Sequence, residues 1–348
     1  MLFVDIEKHI GDFTLKVSFE TEDTVLSLLG TSGSGKSMTL KCIAGIEKPD
    51  SGKIILNDRI LFDSEKGIDL PPQKRKVGYL FQEYALFPNM SVIENIEVAL
   101  QHLPKTDRIN TALGIIRDYK LDQIKDKKPC EISGGEQQRV ALARMMANNP
   151  DVLLLDEPFS SLDSYLKWQL MVDMKSTLDE FKKDVIFVTH SIDEVIGLSN
   201  KICVLDDGTS GSVMNTESAM KAPRTVGTAK LFGCRNFSRL EMTEGMAYCP
   251  DWNVTYGLGQ ITPPSGTEIF VGAFSQDVIL KPQDADGENL ISCTVSQVVQ
   301  TKDLETVILR INNTENYLCA ALPSGEVFSI NEPVKAYIPK EKLLLLEE

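Results

Sequence analysis

The sequence predicts an α/β domain with a mainly parallel sheet covered on both faces, followed by a small antiparallel β domain. Short apolar runs rich in β-branched residues, Thr24–Leu29, Val77–Phe81, Val152–Leu155, Val185–Thr189 and Ile202–Leu205, read as buried strands. Long segments of helical spacing, such as Asp163–Phe181, separate most of them, and such alternation implies parallel pairing under helices. After Asp207-Gly208 the texture changes: Ile269–Ala273, Ser292–Val299 and Thr306–Ile311 alternate at period two between Gly, Pro, Asn and Asp turns, as antiparallel strands do.

These readings divide the chain into an α/β domain over 1–210, a linker over 211–232 rich in Gly, Ser and Thr with a short helical stretch near Glu217–Lys221, and a β domain over 233–348. Within the first domain, residues of about 83–150 carry no comparable buried strand. Their I-E-N-I-E-V-A-L and V-A-L-A-R-M-M-A runs predict a mostly helical subdomain. No internal repeat is present, so chemistry that needs two such domains would need a partner chain.

Composition narrows the class. Over 348 residues, 36 basic against 50 acidic side chains give a net charge of −14, which argues against a protein that coats nucleic acid through its phosphates. No apolar stretch reaches the roughly 18 residues of a membrane span, and the opening M-L-F-V-D-I-E-K lacks the pattern of a secretory signal, so a cytosolic chain is expected. The 7 cysteines are odd in number and scattered, with no C-x-x-C pair, which fits reduced thiols rather than disulfides or a zinc site.

The chemistry is concentrated in a few motifs. G-T-S-G-S-G-K-S, comprising Gly30, Thr31, Ser32, Gly33, Ser34, Gly35, Lys36 and Ser37, follows a strand and opens a helix at Met38. That context suits a phosphate loop: backbone N–H groups wrap the β-phosphate, Lys36 reaches the β and γ oxygens, and Ser37 ligates Mg²⁺. Such a loop takes a nucleoside triphosphate. V-L-L-L-D-E-P, Val152–Pro158, is an apolar strand ending in two carboxylates, where Asp156 would hold the metal through water and Glu157 would polarise the attacking water. The third element is I-S-G-G-E-Q-Q-R, Ile132–Arg139.

With these three in one order, the chain resembles the nucleotide-binding subunit of an ATP-binding cassette (ABC) transporter. The resemblance implies a P-loop NTPase fold with a helical subdomain, and a homodimer in which Ser133, Gly134, Gly135 and Glu136 of one subunit meet the γ-phosphate bound by the other. The usual signature is L-S-G-G-Q; here Ile132 and Glu136 stand at its first and last places, while Ser133 and Gly135 remain. Gln82 matches the glutamine that touches Mg²⁺ and the lytic water, Asp163 in Ser161–Asp163 the loop that links the two sites, and His190 the switch histidine on the γ-phosphate. Phe13 stands where the family places an aromatic ring on adenine. The family's permease attachment would fall near Tyr84–Pro88, where Tyr84, Leu86 and Phe87 form an apolar cluster.

Leu61–Gln82 resembles importers fed by an extracytoplasmic solute-binding protein, with D-S-E-K-G-I similar to the molybdate and sulfate branch. The tail resembles the small OB/TOBE-like β-barrel domain of many such subunits, which would either sense an oxyanion or clamp the dimer. The resemblance implies an ATPase at the cytoplasmic face of the cell membrane, working with permease subunits to import molybdate, tungstate or sulfate. Sugar, polyamine and iron importers carry comparable tails and remain alternatives. A soluble non-transport cassette ATPase is the remaining class; the second cassette of ribosome factors and the long coiled coil of repair proteins are both missing.

Overall fold

The computed structural model describes residues 1–160, 164–243, 246–257, 268–300, 304–323, 325 and 328–347. The chain forms two units, Met1–Glu217 and Ser218–Glu348.

In the first unit the strands are β1 (Leu2–Ile10), β2 (Phe13–Thr21), β3 (Val25–Leu29), β4 (Ser51–Leu56), β5 (Arg59–Asp63), β6 (Ile68–Asp69), β7 (Val77–Leu80), β8 (Val152–Asp156), β9 (Val185–Thr189), β10 (Lys201–Asp206), β11 (Thr209–Ser210) and β12 (Met214–Asn215). Its helices are α1 (Lys36–Ala44), α2 (Pro72–Arg75), α3 (Val92–Glu97), α4 (Lys105–Asp118), α5 (Gly134–Ala147), α6 (Ser164–Phe181) and α7 (Ile192–Leu198). They surround one sheet of order β6-β5-β4-β1-β2-β11-β10-β3-β9-β8-β7. The segment β10-β3-β9-β8-β7 is parallel throughout, and β3, β8 and β9 are buried at every position. Strands covered on both faces bear near-continuous apolar runs, which is why these were legible.

Alternation assigns the faces of the parallel segment. Leu26, Leu28, Val152, Leu154, Ile186 and Val188 pack with Leu40 and Ile43 of α1, whereas Leu153, Leu155, Val185 and Phe187 pack with Leu142 of α5 and Leu170 and Met174 of α6. The antiparallel layer β1, β2, β4, β5 and β6 has no counterpart in the sequence reading, which took the sheet as mainly parallel. These strands have polar outward residues, so their runs are broken by charge. Residues 83–150 are helical as expected: α3, α4 and α5 pack around Val92, Ile96, Ala112, Ile116 and Val140.

Arg75, fully buried, ties the antiparallel layer to α1. Its guanidinium donates to the carbonyls of Cys42 and Ile43 at the C-terminal end of α1 (both 2.9 Å), to Leu70 O (2.6 Å) and to Asp69 Oδ1 (2.9 Å). A cation there also complements the negative end of the helix dipole.

The second unit opens with α8 (Thr216–Lys221), which crosses the unit boundary, and α9 (Val226–Leu231), so residues 211–232 hold helical structure beyond the short stretch expected. Among the described residues eleven strands follow: β13 (Asn236–Arg239), β14 (Glu241–Thr243), β15 (Met246–Cys249), β16 (Val254–Tyr256), β17 (Ile269–Ala273), β18 (Ile279–Pro282), β19 (Leu290–Gln300), β20 (Leu304–Ile311), β21 (Tyr317–Pro323), β22 (Pro333–Tyr337) and β23 (Leu344–Glu347). They pair antiparallel in three sheets, β13-β17-β23, β14-β15-β16 and β18-β22-β19-β20-β21, around a core that includes Trp252, Tyr256, Val295, Val307 and Leu309. This is the antiparallel β domain that the period-two pattern predicts.

Replacing Arg75 by Met should lower the stability of the full-length protein by about 3 kcal/mol, because the buried Cys42 and Ile43 carbonyls and the half-buried Leu70 carbonyl lose a charged donor. The measurement is the urea midpoint; a shift below roughly 0.5 kcal/mol would mean that the α1 carbonyls find other partners.

Candidate active site

The parallel register brings four strand ends level. Leu29 lies opposite Thr189, Asp156 opposite Val188 and Leu80 opposite Leu155. The 30–37 loop, the Asp156-Glu157 pair, His190 and Gln82 therefore all emerge at the C-terminal edge of one sheet, the usual ligand crevice of open α/β folds.

The loop is shaped to hold an anion. Gly35 is the N-cap of α1 at φ 99°, a conformation a side chain resists, and a Cβ there would stand 2.4 Å from Leu15. No side chain caps the helix and its first turn holds no acid, so its leading N–H groups are left for a ligand. Ser34 Oγ is buried without a partner. Thr31, Ser32 and Gly33 are exposed, and Met38 packs on the core below. Lys36 Nζ folds back onto the carbonyls of Gly30 (2.9 Å) and Thr31 (2.7 Å). Burial pushes its ammonium below the ordinary lysine value, against the opposing pull of Glu157 and Asp156. The ring of Phe13 lies against Gly35 and Gly208, beside the loop.

Asp156 is buried, and both of its oxygens accept hydroxyl hydrogen bonds: Oδ1 from Ser37 at 2.7 Å and Oδ2 from Tyr79 at 2.9 Å. Burial, and then the Asp156 charge, hold the Tyr79 phenol above its ordinary value, so it stays protonated as a donor. A serine hydroxyl and a carboxylate side by side form an all-oxygen pair of the kind Mg²⁺ takes.

Glu157 has φ 44° and precedes Pro158. Its N–H donates to Val188 O (3.0 Å) and its carbonyl accepts from Ser160 Oγ (3.0 Å), which hold this left-handed turn in place. Its carboxylate Oε2 lies 3.5 Å from His190 Nδ1. Gln82 donates to Ser160 Oγ (3.3 Å), so it reaches the same edge through Ser160. A cavity of about 190 Å³ is lined by Glu157, Phe159, Ser160, Lys167, Thr189, His190 and Glu194. Behind His190, buried Glu194 accepts from Thr189 Oγ1 (2.6 Å) and pairs with Lys167 (2.5 Å), while the Ser191 N–H donates to Thr189 Oγ1 (2.9 Å).

Ser133 and Glu136 of the signature segment bond to each other. Ser133 is the N-cap of α5 and Glu136 completes a capping box: Glu136 Oε2 accepts from the Ser133 N–H (2.8 Å) and hydroxyl (2.9 Å). These donations hold the Glu136 carboxyl below its ordinary value. Gly134 is exposed, and Gly135 is buried where a Cβ would stand 3.1 Å from Leu170, so it permits the close approach of α5 and α6. Asp163, with Ser161 and Leu162, lies outside the described residues.

One expectation needs correction. Tyr84 is not part of an exposed cluster: it is buried against Leu80 and Phe159 because the left-handed backbone at Tyr84 and Ala85 turns it inward. Leu86 is half-buried, and Phe87 is exposed with the Arg144 guanidinium 5.5 Å from its ring centroid. Sequence reading also missed Tyr79, Lys167, Thr189 and Glu194; no motif marks them, and only strand pairing and helix packing bring them to the edge.

Residues 14–160 match the family model described as ABC transporter. The sulfate/thiosulfate import ATP-binding protein CysA of Vibrio vulnificus is 36% identical over 70% of this chain and 71% of its own. The molybdenum import ATP-binding protein ModC of Rhizobium etli is 30% identical over 89% of both chains. This chain belongs to the ABC transporter family. Another ModC, from Paramagnetospirillum magneticum, is 37% identical, with the match spanning 64% of this chain and 61% of that one. Among ABC cassettes of known structure, a dimeric one solved in a post-hydrolysis state with ADP and Pi has a TM-score of 0.52 and 29% identity, covering 62% of this chain and 99% of that one.

The left-handed turn of this ABC-family chain can be tested at Glu157. Glu157→Gly should be more stable than Glu157→Ala by about 1 kcal/mol, since a Cβ is penalised in that conformation. Equal urea midpoints would show that the turn relaxes.

Proposed function

We propose that this chain is the ATP-hydrolysing subunit of an importer, working as a homodimer at the cytoplasmic face of the membrane and driving permease subunits. The supporting observation is the meeting of Lys36, Ser37, Asp156, Glu157 and His190 at level strand ends. Among the described residues no helix is long and apolar enough to cross a membrane, so the reading needs a separate permease.

In this reading the α1 N-terminus and Lys36 bind the phosphates, Lys36 exchanging its loop carbonyls for phosphate oxygens, and Phe13 stacks on the adenine. Ser37 and Asp156, with Gln82 approaching, would hold Mg²⁺, which when bound offsets charge on the phosphate oxygens. Glu157 takes the proton of the attacking water, and His190, exposed and adjacent to it, donates to the γ-phosphate. Ser133, Gly134, Gly135 and Glu136 complete the site of the partner subunit, and Asp163 links the two sites. Exposed Phe87 offers an apolar contact for the permease.

The cargo we propose is an oxyanion, molybdate, tungstate or sulfate, delivered by an extracytoplasmic solute-binding protein. Its support is the D-S-E-K-G-I segment together with the molybdenum and sulfate names of the relatives. A spermidine/putrescine import ATP-binding protein, PotA of Oleidesulfovibrio alaskensis, is 31% identical over 91% of this chain, and it motivates a polyamine arm in the test.

Glu157→Gln should keep ATP binding while slowing hydrolysis by about 10²–10⁴-fold, the range of general-base catalysis; hydrolysis near the wild-type rate would remove Glu157 from that role. Deleting the gene should abolish uptake of labelled molybdate or sulfate and leave polyamine uptake intact. Loss of polyamine uptake alone would reverse the choice of cargo.

A further inference from the structure

We propose that Tyr79 is the positioning residue of the metal site, its hydroxyl locking the Asp156 carboxylate in the one rotation that keeps Oδ1 turned toward Ser37 and the cation. The inference rests on the reading of Ser37 and Asp156 as the Mg²⁺ site, and extends it to a side chain outside every nucleotide-binding motif.

The argument begins with strand register. Tyr79 on β7 pairs with Leu154 on β8, and alternation puts Leu154 and Asp156 on the same face of the sheet. Asp156 is thus the diagonal neighbour of Tyr79, at a separation that a long aromatic side chain spans. That face is the one covered by α1, where Tyr79 and Leu154 pack in the same core as Leu40 and Ile43. The carboxylate stands between two elements, with the Tyr79 hydroxyl 2.9 Å from Oδ2 and the Ser37 hydroxyl 2.7 Å from Oδ1.

A carboxylate rotates about its Cβ–Cγ bond at little cost, and one held by a single donor can turn to present either oxygen, or both, to that donor. Two hydroxyl donors from different elements remove the choice. Asp156 is only 6% exposed, so water is a poor substitute for a lost partner on Oδ2. With Oδ2 tied to Tyr79, the Ser37 proton is committed to Oδ1, and the Ser37 oxygen lone pairs stay free for the cation. Removing the phenol would free the carboxylate to rotate onto Ser37. Asp156 reaches the cation through water, so the Tyr79 hydroxyl fixes the oxygen that receives that water; the loss of outer-shell hydrogen bonds of this kind costs about 10- to 100-fold in metal affinity.

Tyr79→Phe isolates the hydroxyl, because the ring can keep its contact with Phe81, whose centroid is 4.4 Å away. The experiment measures the affinity of the full-length protein for a fluorescent, non-hydrolysed ATP analogue, with Mg²⁺ in excess and with EDTA. In wild type, Mg²⁺ should tighten binding. In Tyr79→Phe, affinity in EDTA should stay within about twofold, which also reports an intact fold, while the tightening by Mg²⁺ should fall at least 10-fold. A variant that keeps the full Mg²⁺ effect overturns the role of Tyr79 and leaves the metal site standing. A wild-type protein whose affinity ignores Mg²⁺ overturns the metal site itself, and the proposal with it. Equal weakening in EDTA and in Mg²⁺ would assign Tyr79 to the fold or the nucleotide pocket instead, also against the proposal.

Discussion

The first unit depends on a parallel sheet segment whose strands end level, because that constraint alone carries residues far apart in sequence to one edge. Hydrogen bonding between β3, β9, β8 and β7 fixes the register, and burial on both faces makes slippage costly. Each strand then delivers one group: the phosphate loop, His190, the Asp156-Glu157 pair and Gln82. Packing of α1 on one face of the sheet and of α5 and α6 on the other holds these groups still.

Two kinds of support keep the edge in shape. Buried Arg75 joins the C-terminal end of α1 to the segment that leads into β7, and Tyr79 joins β7 to Asp156. The helix that offers its N-terminus to phosphate is therefore anchored at its opposite end. The Lys167–Glu194–Thr189 chain does similar work behind His190, running from α6 to the end of β9. The Glu157 turn is the strained element, a left-handed residue before a proline, held by bonds to Val188 and Ser160. Strain of this kind persists where surrounding structure over-determines it, and here it aims a carboxylate at His190.

Glu136 shows how one residue serves two demands. As the third residue of α5 it closes a capping box on Ser133, which stabilises the helix start. The same carboxylate occupies the Ser133 hydroxyl and brings negative charge to a helix N-terminus that the proposed dimer would offer to a phosphate. An approaching anion must take over those donors.

The sequence by itself determined the class of the protein and named the motif residues of its candidate site. The glycine loop, the apolar strand ending in two carboxylates, the Ser-Gly-Gly helix start and His190 were legible because each is a local pattern: backbone conformation, strand burial and helix capping act over a few neighbouring residues. The period-two alternation of the tail was legible for the same reason. Tertiary structure alone decided which side chains steady those groups. Tyr79 on Asp156, Arg75 under α1 and Glu194 behind His190 are held by pairing and packing between segments distant in sequence. It also decided that Tyr84 faces inward while Phe87 faces out. The antiparallel layer lay beyond the sequence reading too, since its half-exposed strands interleave charge with apolar residues and only their pairing completes a buried face. Local rules write motifs into the chain, whereas contacts between distant segments exist only once the sheet has set its register.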